Sequence, residues 1–135
     1  MKAIPTIEKY MTTTPRTISA DISLAKAEKV MNELQVRHLP VLEGGRLVGI
    51  LSDRDIKLVE SFKDVNPEKV AVREAFTEEP YTVSPKASLS EVCSEMAAHK
   101  YGSVLVTDNH KLVGIFTWVD ALDAMRELLE TRLKH

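Results

Sequence analysis

Leu47-Val48-Gly49-Ile50-Leu51-Ser52-Asp53-Arg54-Asp55 returns 65 residues later as Leu112-Val113-Gly114-Ile115-Phe116-Thr117-Trp118-Val119-Asp120. Working outward, the echo runs without a gap from Met11 to Asp55 against Phe76 to Asp120, with 13 identities in 45 positions. A duplicated supersecondary unit follows. A period this long, in only two copies, does not build a solenoid or a propeller, so a pseudo-twofold pair is expected. At 135 residues the chain has room for one compact domain, and each copy alone is near the size where a core becomes marginal. The reading is a first repeat over 1–62, a connector over 63–69 and a second repeat over 70–135, sharing a core in one compact module.

A net charge of −2, with Lys and Arg mixed among Asp and Glu, disfavours binding to a nucleic-acid backbone. No apolar run approaches a membrane span, and Met1-Lys2-Ala3-Ile4-Pro5 lacks the apolar stretch of a signal peptide. A soluble, cytoplasmic protein is expected. The single cysteine, Cys93, has no internal disulfide partner and reads as a half-buried helical thiol. His99, His110 and His135 are scattered without ligand spacing, so no metal site is expected.

Each repeat opens with one or two helical turns, Ile4 to Met11 and Val70 to Phe76. Pro15-Arg16-Thr17-Ile18 and Pro80-Tyr81-Thr82-Val83 follow as short edge strands, extended by proline and β-branched residues. Ser23 and Ser88 are N-caps, with Glu91 completing a capping box with Ser88. The helices behind them carry an apolar stripe, Leu24, Ala27, Met31, Leu34 and Leu89, Val92, Met96. Two strands then flank a hairpin turn, Glu43-Gly44-Gly45-Arg46 in one copy and Asp108-Asn109-His110-Lys111 in the other. Turn geometry explains the paired glycines better than a phosphate loop does. A second helix closes each unit, with Ile56, Val59 and Phe62 and with Leu122, Met125, Leu129 and Leu133. The fold class is therefore α/β (α+β), two β-α-β-β-α units.

Function is expected where Ser52 and Thr117 end a strand and Asp55 and Asp120 fall in the first turn of a helix. Backbone N–H groups and the helix dipole suit such a junction to an anion, above all phosphate. A carboxylate there can accept bonds from the two adjacent hydroxyls of a ribose. Ser/Thr and Asp at these positions also describe an ordinary capped helix, and duplicated helices need duplicated caps.

These features together resemble the cystathionine β-synthase (CBS) domain family: the Pro-x-Thr-hydrophobic segments, the Arg37-His38-Leu39-Pro40-Val41 strand entry, and the repeated Gly-h-h-Ser/Thr-x-x-Asp junction. The resemblance covers almost the whole chain and is to a tandem pair, the Bateman module, in a stand-alone protein. It implies a non-catalytic regulatory module that binds an adenosine compound, AMP, ADP, ATP or S-adenosylmethionine, in the cleft between repeats, with no cofactor required. By the family pattern Asp55 and Asp120 take ribose hydroxyls, with Ser52 and Thr117 as hydroxyl donors. Thr17, Ile18, Leu39, Pro40 and Val41, with Thr82, Val83, Val104, Leu105 and Val106, surround the bases, partly through backbone groups. It also implies homodimerisation through helices, to which the apolar face Leu122, Met125, Leu129 and Leu133 contributes unless that face is core. Any signal must pass to another protein or to self-assembly.

The two junctions are not equivalent. Arg37, His38 and Arg54 offer cations for phosphate near Asp55, where the second copy has Gly102, Ser103 and Val119. His38 reads equally as a satisfied strand-end histidine. Trp118 replaces Asp53, and Leu105 replaces a proline; the tryptophan is read as packing, an interface or a stacking surface. The Asp55 junction is expected to prefer a phosphorylated adenosine, and the Asp120 junction to be weaker, empty or suited to a less charged ligand. An enzyme is disfavoured for want of a nucleophile and base arrangement. A ligand-free structural dimerisation module is the alternative.

Overall fold

The computed structural model describes residues 4–133, with side chains described as far as Thr131. Met1-Lys2-Ala3, the Leu133 side chain and His135 lie outside the described set. In chain order the elements are a 3-10 turn Ile7–Lys9, β1 Thr12–Thr13, β2 Ile18–Ser19, α1 Leu24–Leu34, β3 His38–Glu43, β4 Arg46–Ser52 and α2 Asp53–Glu60. The second half runs through a 3-10 turn Val72–Glu74, β5 Thr77–Glu78, β6 Thr82–Val83, α3 Leu89–His99, β7 Ser103–Asp108, β8 Lys111–Thr117 and α4 Trp118–Leu133. The expected β-α-β-β-α order is present in both copies. A short strand that the sequence reading did not contain, β1 or β5, precedes each.

Those two short strands redraw the units. One compact unit is Arg16–Pro80, and the other joins Met1–Pro15 to Tyr81–His135. The first unit's sheet has the order β2-β3-β4-β5, and the second unit's has β1-β8-β7-β6. Each sheet therefore takes three strands from one sequence repeat and its fourth from the opening segment of the other. The boundaries of the sequence echo and of the packed units differ by that segment.

Glycine permits the exchange. Gly49 of β4 lies opposite Glu78 of β5, and Gly114 of β8 lies opposite Thr13 of β1. A Cβ on Gly49 would stand 2.3 Å from the Thr77 carbonyl oxygen and the Phe76 ring; one on Gly114 would stand 2.5 Å from the Met11 sulfur. The repeated glycine thus lets the exchanged segment approach closely.

Within Arg16–Pro80, β2 pairs parallel to β3, and β3 and β4 form an antiparallel hairpin. Its turn places Gly44 and Gly45 at φ 59° and 79°, as a primed two-residue turn requires. Tyr81–His135 repeats this plan with Asn109 and His110 at φ 51° and 68°, so asparagine and histidine do there what glycine does in the first copy. Gln35 and Lys100, also 65 apart, end α1 and α3 in the left-handed conformation at φ 56° and 59°. Neither stop was readable from a glycine.

Leu24, Ala27, Val30 and Met31 turn one stripe of α1 onto Ile18, Leu39, Val41, Leu51, Ile56 and Val72. In the other unit Leu89, Val92 and Met96 of α3 cluster with Ile7, Val104, Val106, Phe116 and Ala124. Each unit has a core cluster of its own, completed by Val72 or Ile7 from an exchanged 3-10 turn. A fully buried Leu, Ile or Val contributes roughly 1.5–3 kcal/mol, whereas a solvent-screened surface ion pair such as Arg73 with Glu43 adds little. The cores hold these units.

Three sequence expectations need correction. Leu34 does not join the core stripe, since the last turn of α1 leaves it exposed. Phe62 lies past the end of α2 and is also exposed. Glu91 does not complete a box with Ser88: the Ser88 hydroxyl oxygen accepts from Glu91 N at 3.4 Å and lies 2.9 Å from Ser90 Oγ, but among the described residues Ser88 N makes no return bond to the Glu91 carboxylate.

Candidate binding junctions

β4 ends on Ser52 and α2 begins on Asp53, so the Ser52 hydroxyl is in place to cap. Its oxygen accepts from Asp55 N at 3.1 Å, and Asp55 Oδ2 accepts from Ser52 N at 2.9 Å. This reciprocal capping box fixes the carboxylate at the helix start. Among the described residues no donor reaches Asp55 Oδ1. Three of the roughly four acceptor positions of a carboxylate are therefore open.

β3 brings His38 opposite Ser52. Burial holds the imidazole below its ordinary pKa, opposed by Asp55 and Asp53 and reinforced by Arg37 and Arg54. His38 is thus neutral near pH 7 unless an anion arrives. Arg37 anchors the helix start through its carbonyl, which accepts from Asp53 N at 2.8 Å. Its guanidinium stands 3.5 Å from Asp53 Oδ2, and Lys57 Nζ lies 3.1 Å from the same oxygen. That pair is exposed and weak, so Arg37 can leave it for a phosphate at little cost. Arg54 is exposed on the first turn of α2. The structure therefore brings Arg37, His38, Ser52 and Asp55 to one strand-to-helix junction, with Arg54 on the same turn. Asp53 is a member that the sequence reading passed over; its place beside Arg37 and Lys57 was visible only in the i, i+4 spacing to Lys57.

The second junction keeps the backbone and changes the surroundings. Thr117 ends β8 opposite Ser103, and Trp118 N donates to Gly102 O at 3.3 Å, as Asp53 does to Arg37. Asp120 Oδ2 accepts from Thr117 N at 2.9 Å and from Thr117 Oγ1 at 3.3 Å. Asp120 Oδ1 accepts from Thr12 Oγ1 at 3.3 Å. Thr12 comes from the exchanged strand β1, and sequence reasoning missed it. The signal was faint: Thr12 and Thr77 are one of the identities of the 65-residue echo.

The residues assigned to the bases fall into three groups. Ile18, Leu39 and Val41, like Val104 and Val106, are turned into the core clusters and can offer a ligand only backbone groups. Pro40 and Leu105 are buried on the opposite face of their strands, paired with Ile50 and Ile115. Thr17 is half-buried and Thr82 exposed; half-buried Val83 packs against the second core. Trp118 is 48% exposed at the start of α4 and is not core. The same holds for Leu122, Met125 and Leu129, all exposed, while Ala121, Ala124 and Leu128 take the core-facing side. Tyr81 and Tyr101 stack at 5.2 Å, and His99 stacks on Tyr101 at 5.1 Å.

Among the described residues no group of His, Cys, Asp and Glu could hold a metal ion, and no helix is long and apolar enough to cross a membrane.

Two α/β units, each presenting a hydroxyl and a carboxylate at a strand-to-helix junction, define a tandem-repeat module. The chain belongs to the CBS domain family, which matches residues 7–60 and 72–127. It is 28% identical to AcuB from Vibrio cholerae, whose crystal structure superposes with a TM-score of 0.87 over 98% of both chains. The CBS domain pair of protein MJ0100, in complex with 5′-methylthioadenosine and S-adenosyl-L-methionine, shares the fold. Its TM-score is 0.84 at 24% identity, over 93% of this chain and 98% of that one. An inosine-5′-monophosphate dehydrogenase of Korarchaeum cryptofilum is 29% identical over 88% of the chain. The chain spans only 24% of that enzyme's length.

Proposed function

We propose that this protein is a non-catalytic, cytoplasmic regulatory module that binds an adenosine compound at the Ser52–Asp55 junction. A phosphorylated form, AMP, ADP or ATP, is preferred there over S-adenosylmethionine. The observation that carries the reading is the open Oδ1 of Asp55, held at a helix start beside Arg37, His38 and Arg54. Ribose hydroxyls donate to the carboxylate, while the N-terminal end of α2 and the two guanidiniums meet phosphate. A phosphate beside His38 also favours its protonated form, adding a third cation. The methylthioadenosine and S-adenosylmethionine held by the MJ0100 pair support the choice of an adenosine framework.

The protein is further proposed to pair with a second copy through the outer stripe of α4, Trp118, Leu122, Met125 and Leu129. Ligand then acts by favouring one arrangement of the assembly, or of a regulated partner, over another.

The test is a thermal-shift panel of AMP, ADP, ATP and S-adenosylmethionine on the wild type and on Asp55→Ala. A binder stabilises in proportion to the logarithm of its concentration over Kd. Losing charge-assisted bonds of roughly 1.5–3 kcal/mol, Asp55→Ala is expected to weaken AMP by about ten- to hundredfold in calorimetry. Unchanged AMP affinity removes Asp55 from the ribose role, and silence across the panel leaves a structural dimerisation module.

A further inference from the structure

The two carboxylates differ in how much acceptor capacity the protein leaves them. Asp55 receives one donor, Ser52 N. Asp120 receives three: Thr117 N, Thr117 Oγ1 and Thr12 Oγ1. A carboxylate has about four acceptor positions, so Asp55 retains room for both hydroxyls of a ribose and Asp120 for one. The outer oxygen of Asp120, the counterpart of the open one on Asp55, is the atom that Thr12 occupies. Thr77, the residue corresponding to Thr12, makes no bond to Asp55 among the described residues.

We infer that Thr12 is a selectivity residue: its hydroxyl stands in for a ligand hydroxyl on Asp120 and must be displaced before that junction accepts a ribose. The inference rests on the reading of these carboxylates as ribose acceptors. It separates two causes of weak binding at the second junction. Missing cations penalise only phosphorylated ligands, whereas an internal hydroxyl on Asp120 penalises every ligand with a ribose diol, adenosine included. Thr12 is exposed, so water can take over its hydroxyl when a ligand displaces it. The competition then amounts to one ordinary hydrogen bond, about three- to tenfold in affinity.

The experiment uses uncharged adenosine in calorimetry, on an Asp55→Ala background that weakens the first junction. Asp55→Ala/Thr12→Val is expected to bind adenosine about three- to tenfold more tightly than Asp55→Ala alone, while Asp55→Ala/Thr12→Ser, which keeps the hydroxyl, matches the single variant. On an Asp120→Ala background, Thr77→Val is expected to leave adenosine affinity unchanged. Equal affinities with and without Thr12→Val, or no binding in either, overturn the inference provided circular dichroism shows both folded. A gain reproduced by Thr12→Ser or by Thr77→Val overturns it too, because the effect then does not come from the hydroxyl on Asp120. A wild type that binds no adenosine compound fails the proposed function itself; AMP binding that depends on Asp55, with no effect at Thr12, fails this inference alone.

Discussion

Around Asp55 stand His38, Arg37 and Arg54; at the same places of the second repeat stand Ser103, Gly102 and Val119. The strand end, the hydroxyl, the reciprocal bond to the strand-end N–H and the helix start are common to both. What differs is charge on one side and donor crowding on the other. Duplication preserves what the backbone needs, a cap at each helix, and leaves the ligand-facing surroundings free to diverge. A cap is required by helix energetics wherever the helix occurs, whereas a cation near it is required only where an anion binds.

The largest expected effect tests whether the exchanged segments are equally tight in the two units. Gly49→Ala drives a methyl into the Thr77 carbonyl and the Phe76 ring, whereas Gly114→Ala meets the end of a flexible methionine. Gly49→Ala is expected to cost about 3 kcal/mol in chemical denaturation and Gly114→Ala about 1 kcal/mol. Equal losses would mean that the units accommodate the crossing strand alike. Next comes charge. Arg37→Ala is expected to weaken AMP about fivefold and leave adenosine unchanged in calorimetry, which ties the guanidinium to phosphate. A parallel loss for both ligands would make its role structural.

Acid sharpens the contrast further. His38 has its pKa held below the ordinary 6.5, so the folded state favours the neutral ring. Stability from this source is present above 6.5 and is lost as pH falls through the lowered value. Urea midpoints measured from pH 7 down to pH 5 are expected to fall for the wild type and to fall less for His38→Asn. Ser103, at the equivalent place, has nothing to protonate in this range. The smallest effect lies on α1. Burial, and then Glu60, raise the Glu28 pKa, so the fold holds that proton more tightly than the unfolded chain and loses the advantage as pH rises through the folded value. Glu28→Gln is expected to add roughly 0.5 kcal/mol at neutral pH and nothing below the ordinary carboxyl range. Its counterpart, Cys93, is a half-buried thiol whose pKa burial raises, which favours the uncharged form.

Local chemistry made much of this legible. The hairpin turns, the edge strands after Pro15 and Pro80, and the serine-capped helices each follow from residues within a few positions of one another. The exchanged strands did not show, because two residues such as Thr12–Thr13 carry no period and their partners lie far along the chain, Ile115 and Gly114. The site divides in the same way. Ser52 and Asp55 are three apart and could be read as a unit, whereas Thr12 and Asp120 are 108 apart, and no local rule joins them. Leu122, Met125 and Leu129 had the spacing of a core stripe and are exposed because the small residues Ala121 and Ala124 bring the opposite side of α4 onto the sheet.

The exchange of opening segments also sets an order of assembly. Arg16–Pro80 is contiguous, so all its strands are available once the chain has been made as far as Pro80. The other unit needs residues from both sides of Arg16–Pro80, and β1 has no β8 to pair with until Lys111–Thr117 emerges. On the ribosome, where synthesis runs from the N-terminus, β1 is therefore made before Arg16–Pro80 but finds its partner strand after it. The hydroxyl of Thr12 reaches Asp120 only once β8 and the start of α4 have been made, which makes the Thr12–Asp120 contact a marker that this unit has closed.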